Sequence, residues 1–148
     1  KAFAQRLNSL CQIRVKEASD GEILQRSVAY ICPGDFQTRF KKVDQGKFCF
    51  VITSNQQERA KFAPCIDHMF LSAAEILGSK TIGIILTGMG DDGVQGLLKL
   101  RSLGGLTIAQ DKATSVIYGM PRAAAERGAA GRVLPLGEIA REIGLSLR

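Results

Sequence analysis

The stretch Ile82-Gly-Ile-Ile-Leu-Thr-Gly-Met-Gly-Asp-Asp-Gly-Val-Gln-Gly-Leu-Leu-Lys-Leu-Arg-Ser-Leu103 decides the fold class. Ile82 to Leu86 is a continuous apolar run, as expected of a strand buried on both faces. Val94 to Leu103 reads as a helix, and a glycine-rich turn joins the two. In open α/β sheets, sites form at the carboxyl ends of strands, so this turn is where chemistry is expected.

The same alternation continues downstream. Gly104-Gly105 ends the helix and Leu106 to Ala109 is the next strand. Thr114 to Gly119 is loop-like. Pro121 to Arg127 is a helix with proline near its start. Arg132 to Leu134 is a short strand, and Leu136 to Leu147 a final amphipathic helix. Upstream, Pro64 opens a helix. Its Ile66, Met69, Phe70, Ala73, Ala74 and Leu77 form one apolar face. Asp67 lies in the first turn, where the helix dipole favours an anion, and Gly78 is the stop.

Residues 78–144 hold 13 of the 16 glycines, and the segment 1–77 is richer in aromatics and β-branched residues. Ala2 to Leu10 is a short helix, Ile13 to Lys16 a strand, and Val28 to Cys32 another, stopped by Pro33-Gly34-Asp35. Thr38 to Val43 and Lys47 to Thr53 flank Asp44-Gln45-Gly46 as a β-hairpin. Ser54 to Lys61 is polar and reads as an exposed loop. Strand and helix alternate overall, which predicts an α/β fold with a mostly parallel sheet and a hairpin excursion. A chain of 148 residues with short connections predicts one domain.

Composition narrows the function. Hydrophobic residues make up 45% and charged residues 23%, which argues against disorder and coiled coil. No apolar run approaches the ~18 residues of a membrane helix. Lys1-Ala-Phe-Ala-Gln-Arg6 has no signal-peptide core. The net charge is +6, but it is scattered, with Arg39, Lys41, Lys42 and Lys47 the tightest cluster. No basic run is laced with aromatics, so nucleic acid is not an expected partner. Cys11, Cys32, Cys49 and Cys65 form no close pair and His68 is the sole histidine, so no metal site is expected. Three of the four cysteines sit in apolar stretches, which predicts buried reduced thiols and a cytoplasmic location.

The turn itself admits two functional readings. Gly88, Gly90 and Gly93 spell G-x-G-x-x-G, and Asp111 ends the next strand, as in a nicotinamide dinucleotide fingerprint. Asp91 and Asp92 oppose it, because two carboxylates would stand where a pyrophosphate approaches. Alternatively, an aspartate at a strand end orients a histidine in a nucleophilic triad, and the N–H groups of the glycine turn face an oxyanion. The bland account is that Asp91 or Asp92 caps the following helix. No G-x-S-x-G elbow is present. A Cys65–His68 nucleophilic pair is conceivable, but i, i+3 spacing on an amphipathic helix more often means packing.

These motifs resemble the catalytic domain of the chemotaxis protein-glutamate methylesterase family, CheB. Leu86-Thr-Gly-Met-Gly-Asp-Asp-Gly93 resembles its central L-T-G-M-G-x-D-G motif. Thr107-Ile-Ala-Gln-Asp111 and Thr114-Ser-Val-Ile-Tyr-Gly-Met-Pro-Arg-Ala-Ala124 resemble the family's next segment downstream of that motif. Phe3-Ala-Gln-Arg-Leu7, Val15-Lys-Glu-Ala18, Ala29-Tyr-Ile-Cys-Pro-Gly34 and Pro64-Cys-Ile-Asp67 match in order upstream, so nearly the whole chain is covered.

The resemblance implies a doubly wound, Rossmann-like α/β domain that hydrolyses glutamate methyl esters on chemoreceptors and in many members deamidates glutamines. It implies a Ser-His-Asp triad whose acid is Asp92. Met89 is implied at the oxyanion site through its backbone N–H, and Gly88, Gly90, Thr114, Ser115 and Met120 as substrate-binding. No metal or organic cofactor is implied. The implied partners are the cytoplasmic domains of methylated chemoreceptors and an N-terminal receiver domain of a two-component system.

The family's Ser, in G-x-S-T-G-G, and His, in Q-H-M-P, are not found in these 148 residues. The expectation is a catalytic domain without its first strand or so, largely inactive alone and prone to self-association along an uncovered sheet edge. A family histidine aligns with Gln37, another with Phe62, and a serine with Cys65, which points to a divergent subfamily. The alternatives kept beside the esterase are the nicotinamide-binding domain and a non-catalytic receptor-binding scaffold.

Overall fold

Leu97, Leu100 and Ile108 have no exposed surface and mark the centre of the second of two compact units, Lys1–Cys65 and Ile66 onward. A computed structural model describes residues 1–44 and 46–147. Gln45, expected in the hairpin turn, lies outside the described residues.

In the first unit α1 (Ala2–Leu10) precedes β1 (Arg14–Glu17), which pairs in parallel with β2 (Val28–Ile31). β3 (Phe36–Asp44) and β4 (Lys47–Ser54) form the expected antiparallel hairpin, with Phe40 opposite Phe50. The Phe50 ring gathers the Tyr30 ring at 4.9 Å and the Phe40 ring at 5.4 Å. Ser54 to Lys61 is not a plain loop. Ser54 accepts the Gln56 N–H at 3.3 Å and starts α2 (Asn55–Glu58). Glu58 is then held by both Arg39 nitrogens at 2.6 Å and by the Thr53 hydroxyl.

Gln37 is fully buried there and all of its amide is used. Its Nε2 donates to Asn55 Oδ1 and to the Phe62 carbonyl, each at 2.7 Å, and its Oε1 accepts the Cys65 N–H at 2.9 Å. A buried amide left unmade would cost about 1–3 kcal/mol. No disulfide joins the described cysteines, but only Cys49 is buried. The prediction of three buried thiols is corrected: Cys32 and Cys65 are half-buried, because each adjoins a proline where the chain leaves a strand or enters a helix.

The second unit is the α/β part. α3 (Ile66–Leu77) leads through a 3-10 turn to β5 (Ile82–Ile85). α4 (Val94–Ser102), β6 (Leu106–Gln110), α5 (Met120–Glu126), β7 (Arg132–Leu134) and α6 (Leu136–Ser146) complete it. The three strands are parallel in the order β5-β6-β7. β6 is therefore central, and its residues Thr107 to Gln110 are all buried. The apolar run of β5 predicts burial on both faces. Only Gly83 and Ile85 are buried; Ile84 opens onto an apolar groove with Leu86, Leu136, Ile139, Ala140 and Ile143.

Two glycines set the packing. A Cβ at Gly83 would meet Leu97 at 2.6 Å, so α4 lies directly on β5. A Cβ at Gly96 would meet the Phe70 Cβ at 2.4 Å, so α3 and α4 touch at their first turns. No helix among the described residues is long and apolar enough to cross a membrane.

Candidate active site

The carboxyl ends of β5 and β6 carry two loops, residues 86–93 and 111–119, and backbone bonds join them. Gly88 N–H donates to the Ile117 carbonyl at 3.1 Å. The Gly88 carbonyl accepts from Gly119 N–H at 3.1 Å and Met120 N–H at 2.8 Å. Thr87 adds a second clasp: its hydroxyl donates to the Ile117 carbonyl at 3.0 Å and accepts the Ile117 N–H at 2.8 Å. A side chain is crowded by a movable methionine at one point of this seam and barred by backbone at another. A Cβ at Gly88 would lie 2.5 Å from Met120 Sδ, and one at Gly119 would lie 2.7 Å from the Gly88 carbonyl oxygen.

Gln110, the last residue of β6, fixes both loops from below. It is 1% exposed. Its Oε1 accepts the Thr87 N–H at 2.8 Å, and its Nε2 donates to the Thr114 carbonyl at 2.8 Å. Asp111 Oδ1 takes the Thr114 N–H at 3.0 Å and hydroxyl at 2.6 Å. Ser115 Oγ donates to the Asp111 carbonyl at 2.6 Å. The hydroxyls of Thr114 and Ser115 are thus engaged in shaping their own loop. Above the seam Met89 is 83% exposed and Val116 is 90% exposed. Gly90 has φ +95°, and a Cβ there would point into open space.

Asp92 is half-buried and does not cap the helix that follows it. α4 begins after Gly93, its N-cap, which supplies no side-chain cap. Gly93 has φ +91°, and a Cβ there would come 2.7 Å from Ile66. That left-handed turn swings the Asp92 carboxylate onto the first turn of α3. Its Oδ2 accepts the Ile66 N–H at 2.8 Å and its Oδ1 the Asp67 N–H at 3.1 Å. Those are two of the four N–H groups that no helix can satisfy internally. The capping expectation is therefore corrected in its helix: Asp92 caps α3. Asp91 is exposed, pairing with Arg127 at 2.9 Å while its carbonyl accepts the Val94 N–H.

The sequence suggests that Asp67 is an anion favoured by its own helix. Its carboxylate instead reaches across to α4, accepting the Gly96 N–H at 2.7 Å. Burial, and then the Asp92 and Asp91 charges, push this carboxyl up from 3.8, against the N–H groups of Gly96 and Gln95. Cys65 and His68, the conceivable nucleophilic pair, are both half-buried, one just before α3 and the other in its first turn. Among the described residues no group of three His, Cys, Asp or Glu side chains is placed to hold a metal.

The site thus sets a carboxylate held by two N–H groups beside a glycine-rich backbone seam. The family model for the CheB methylesterase matches residues 1–143. The chain belongs to the CheB methylesterase family. It is 44% identical over 143 residues to "Protein-glutamate methylesterase/protein-glutamine glutaminase 3" of Geobacter metallireducens, covering 97% of this chain and 40% of that protein. It is 46% identical over 147 residues to a Xanthomonas campestris pv. campestris protein with the same name but numbered 2, covering 99% and 41%. The chain thus spans about 40% of the length of these curated relatives. The crystal structure of the Thermotoga maritima CheB methylesterase catalytic domain superposes with a TM-score of 0.87 at 41% identity. That match covers 96% of this chain and 74% of the other. The CheB catalytic fold is therefore the fold of this chain.

Within the CheB frame, the sequence reading named Asp92, Met89 and the glycines as candidates. It did not single out Gln110 or the Asp67 bond to α4. A buried amide at the end of an otherwise apolar strand, Leu106-Thr-Ile-Ala-Gln110, was the available signal for Gln110.

Proposed function

We propose that this chain is the greater part of the catalytic domain of a protein-glutamate methylesterase. In the longer protein it hydrolyses glutamate methyl esters, and deamidates glutamines, on the cytoplasmic domains of chemoreceptors. The observation that carries the reading is the Asp92 carboxylate, fixed by Ile66 and Asp67 N–H groups at the carboxyl end of β5. Both oxygens are anchored on one side, so the carboxylate has a set direction from which to orient an imidazole.

The reaction is acyl transfer. A serine and a histidine of the longer protein act as nucleophile and base. The serine oxygen attacks the ester carbonyl as the histidine takes its proton. Asp92 holds the histidine tautomer and stabilises the imidazolium. The Met89 N–H points to the developing oxyanion, and removing one such donor typically costs about 10²–10³ in rate. The histidine returns its proton to methanol, and water then cleaves the acyl-enzyme by the same route. Gly88, Gly90, Thr114, Ser115 and Met120 line the substrate path. The Thr114 and Ser115 hydroxyl protons are both used within their own loop, so neither hydroxyl donates to substrate. The cytoplasm and coupling to a receiver domain belong to this reading.

The test is methanol release from a methylated chemoreceptor fragment. The longer protein should be active, its Asp92→Asn variant should lose about 10⁴ in kcat, and the 148 residues alone should be nearly inert. An active Asp92→Asn variant would remove Asp92 from the chemistry. An active isolated chain would place the nucleophile within it, with Cys65 the first residue to replace.

A further inference from the structure

We infer that Asp67 is a positioning residue for Asp92: its carboxylate locks the first turn of α4 against α3 and so keeps Asp92 aimed. The inference rests on the reading of Asp92 as the triad acid. Two hydrogen-bonded contacts run in opposite directions between the same two helix ends. Asp92, two residues before α4, accepts from Ile66 and Asp67 in α3. Asp67, in the first turn of α3, accepts from Gly96 in α4.

Neither half is sufficient alone. The N–H groups on Asp92 set its distance from α3, but Asp92 sits on a loop with left-handed glycines at positions 90 and 93. Such a loop is not rigid by itself. The Asp67 carboxylate fixes the other end of that loop by holding α4 within its first turn. Gly96 permits this, because its missing side chain lets the α4 backbone approach within reach of Asp67; a Cβ there would stand 3.2 Å from the Asp67 carbonyl. The loop carrying Met89 and Asp92 is thus anchored at one end by the seam at Gly88 and at the other by Asp67.

The role needs an acceptor oxygen, not a charge. Asp67→Asn keeps an oxygen for the Gly96 N–H, and Asp67→Ala does not. The experiment is methyl-ester hydrolysis by the full-length protein on a methylated chemoreceptor fragment, with rates normalised to folded protein. Asp67→Ala should lower kcat about tenfold, the scale of a small misplacement, with KM within about twofold. Asp67→Asn should stay within about twofold of the parent in both. The acid limb of the kcat/KM profile reports the imidazole that Asp92 orients. It should move down by about half a pH unit in Asp67→Ala, because a loosened carboxylate supports the imidazolium less. A structural loss alone would scale that profile without moving it.

Asp92→Asn separates the two ideas. If it retains parental activity, the triad reading fails and the inference fails with it. If it is inactive while Asp67→Ala keeps its kcat and its acid limb, the triad reading stands and the positioning role is overturned. Equal losses in Asp67→Ala and Asp67→Asn would also overturn it. Should Asp67→Ala not fold, Asp67→Ser, whose hydroxyl falls short of Gly96, is judged by the same three readouts.

Discussion

Gly119 lies against Gly88 with no room for a side chain: a Cβ on Gly119 would stand 2.7 Å from the Gly88 carbonyl oxygen and 3.1 Å from Met89 Cα. Backbone, not a flexible side chain, is what it would strike. Gly119→Ala must therefore push the two loops apart. The expected cost is about 1–3 kcal/mol, read by urea unfolding. Esterase activity of the full-length protein should fall further than stability, because Met89 is the residue displaced. An unchanged unfolding midpoint would mean the seam opens freely.

Gln110 serves one loop as an acceptor and the other as a donor. Gln110→Glu keeps the shape but turns an oxygen toward the Thr114 carbonyl, where Nε2 now donates at 2.8 Å. Gln110→Leu leaves the Thr87 N–H without its partner. Each should lower stability by about 1–3 kcal/mol. The glutamate variant should recover part of its loss in acid, where its carboxyl is protonated and can donate again. Unfolding at about pH 4 and about pH 7 checks this.

The Asp67 carboxyl is pushed above its ordinary 3.8, chiefly by burial. The folded chain therefore keeps that proton to higher pH than the unfolded chain. Its contribution to stability is full below 3.8 and is lost as pH rises through the raised value. Asp67→Asn removes this dependence. The variant should gain on the parent between about pH 3 and about pH 7, as measured by the difference in denaturation midpoints. A difference that is constant across that range would contradict the assignment.

β5 is an edge of its three-stranded sheet, and the groove beside it is lined by Ile84, Leu86, Leu136, Ile139, Ala140 and Ile143. An edge with apolar flanks is prone to pairing. The 148-residue chain alone should associate with rising concentration in sedimentation velocity, and Ile143→Lys should weaken that association. A monomer at every concentration would set this expectation aside.

The strands and helices of the α/β part were legible in the sequence to within a residue or two, because their apolar periods are long and uninterrupted. α2 was missed because a four-residue helix capped by Ser54 has no period to read. The site was legible in part. Met89 and Asp92 lie in one motif, but Asp67 and Gln110 act on residues 29 and 23 positions away, and no local pattern encodes such partners. The departures at Gln37, Phe62 and Cys65 look in the sequence like three separate changes. They are one cluster, since the Gln37 amide bonds the backbone of both other residues.

The Asp67 N–H bond to Asp92 Oδ1 closes the chain between positions 25 apart into a ring without a covalent bond, and the Gly96 N–H bond to Asp67 Oδ1 closes a second between positions 29 apart. A ring fastened at its two ends has a fixed circumference. One residue inserted or deleted anywhere between α3 and the glycine turn would misalign both fasteners together. Variation in length across related sequences should thus be absent from this span.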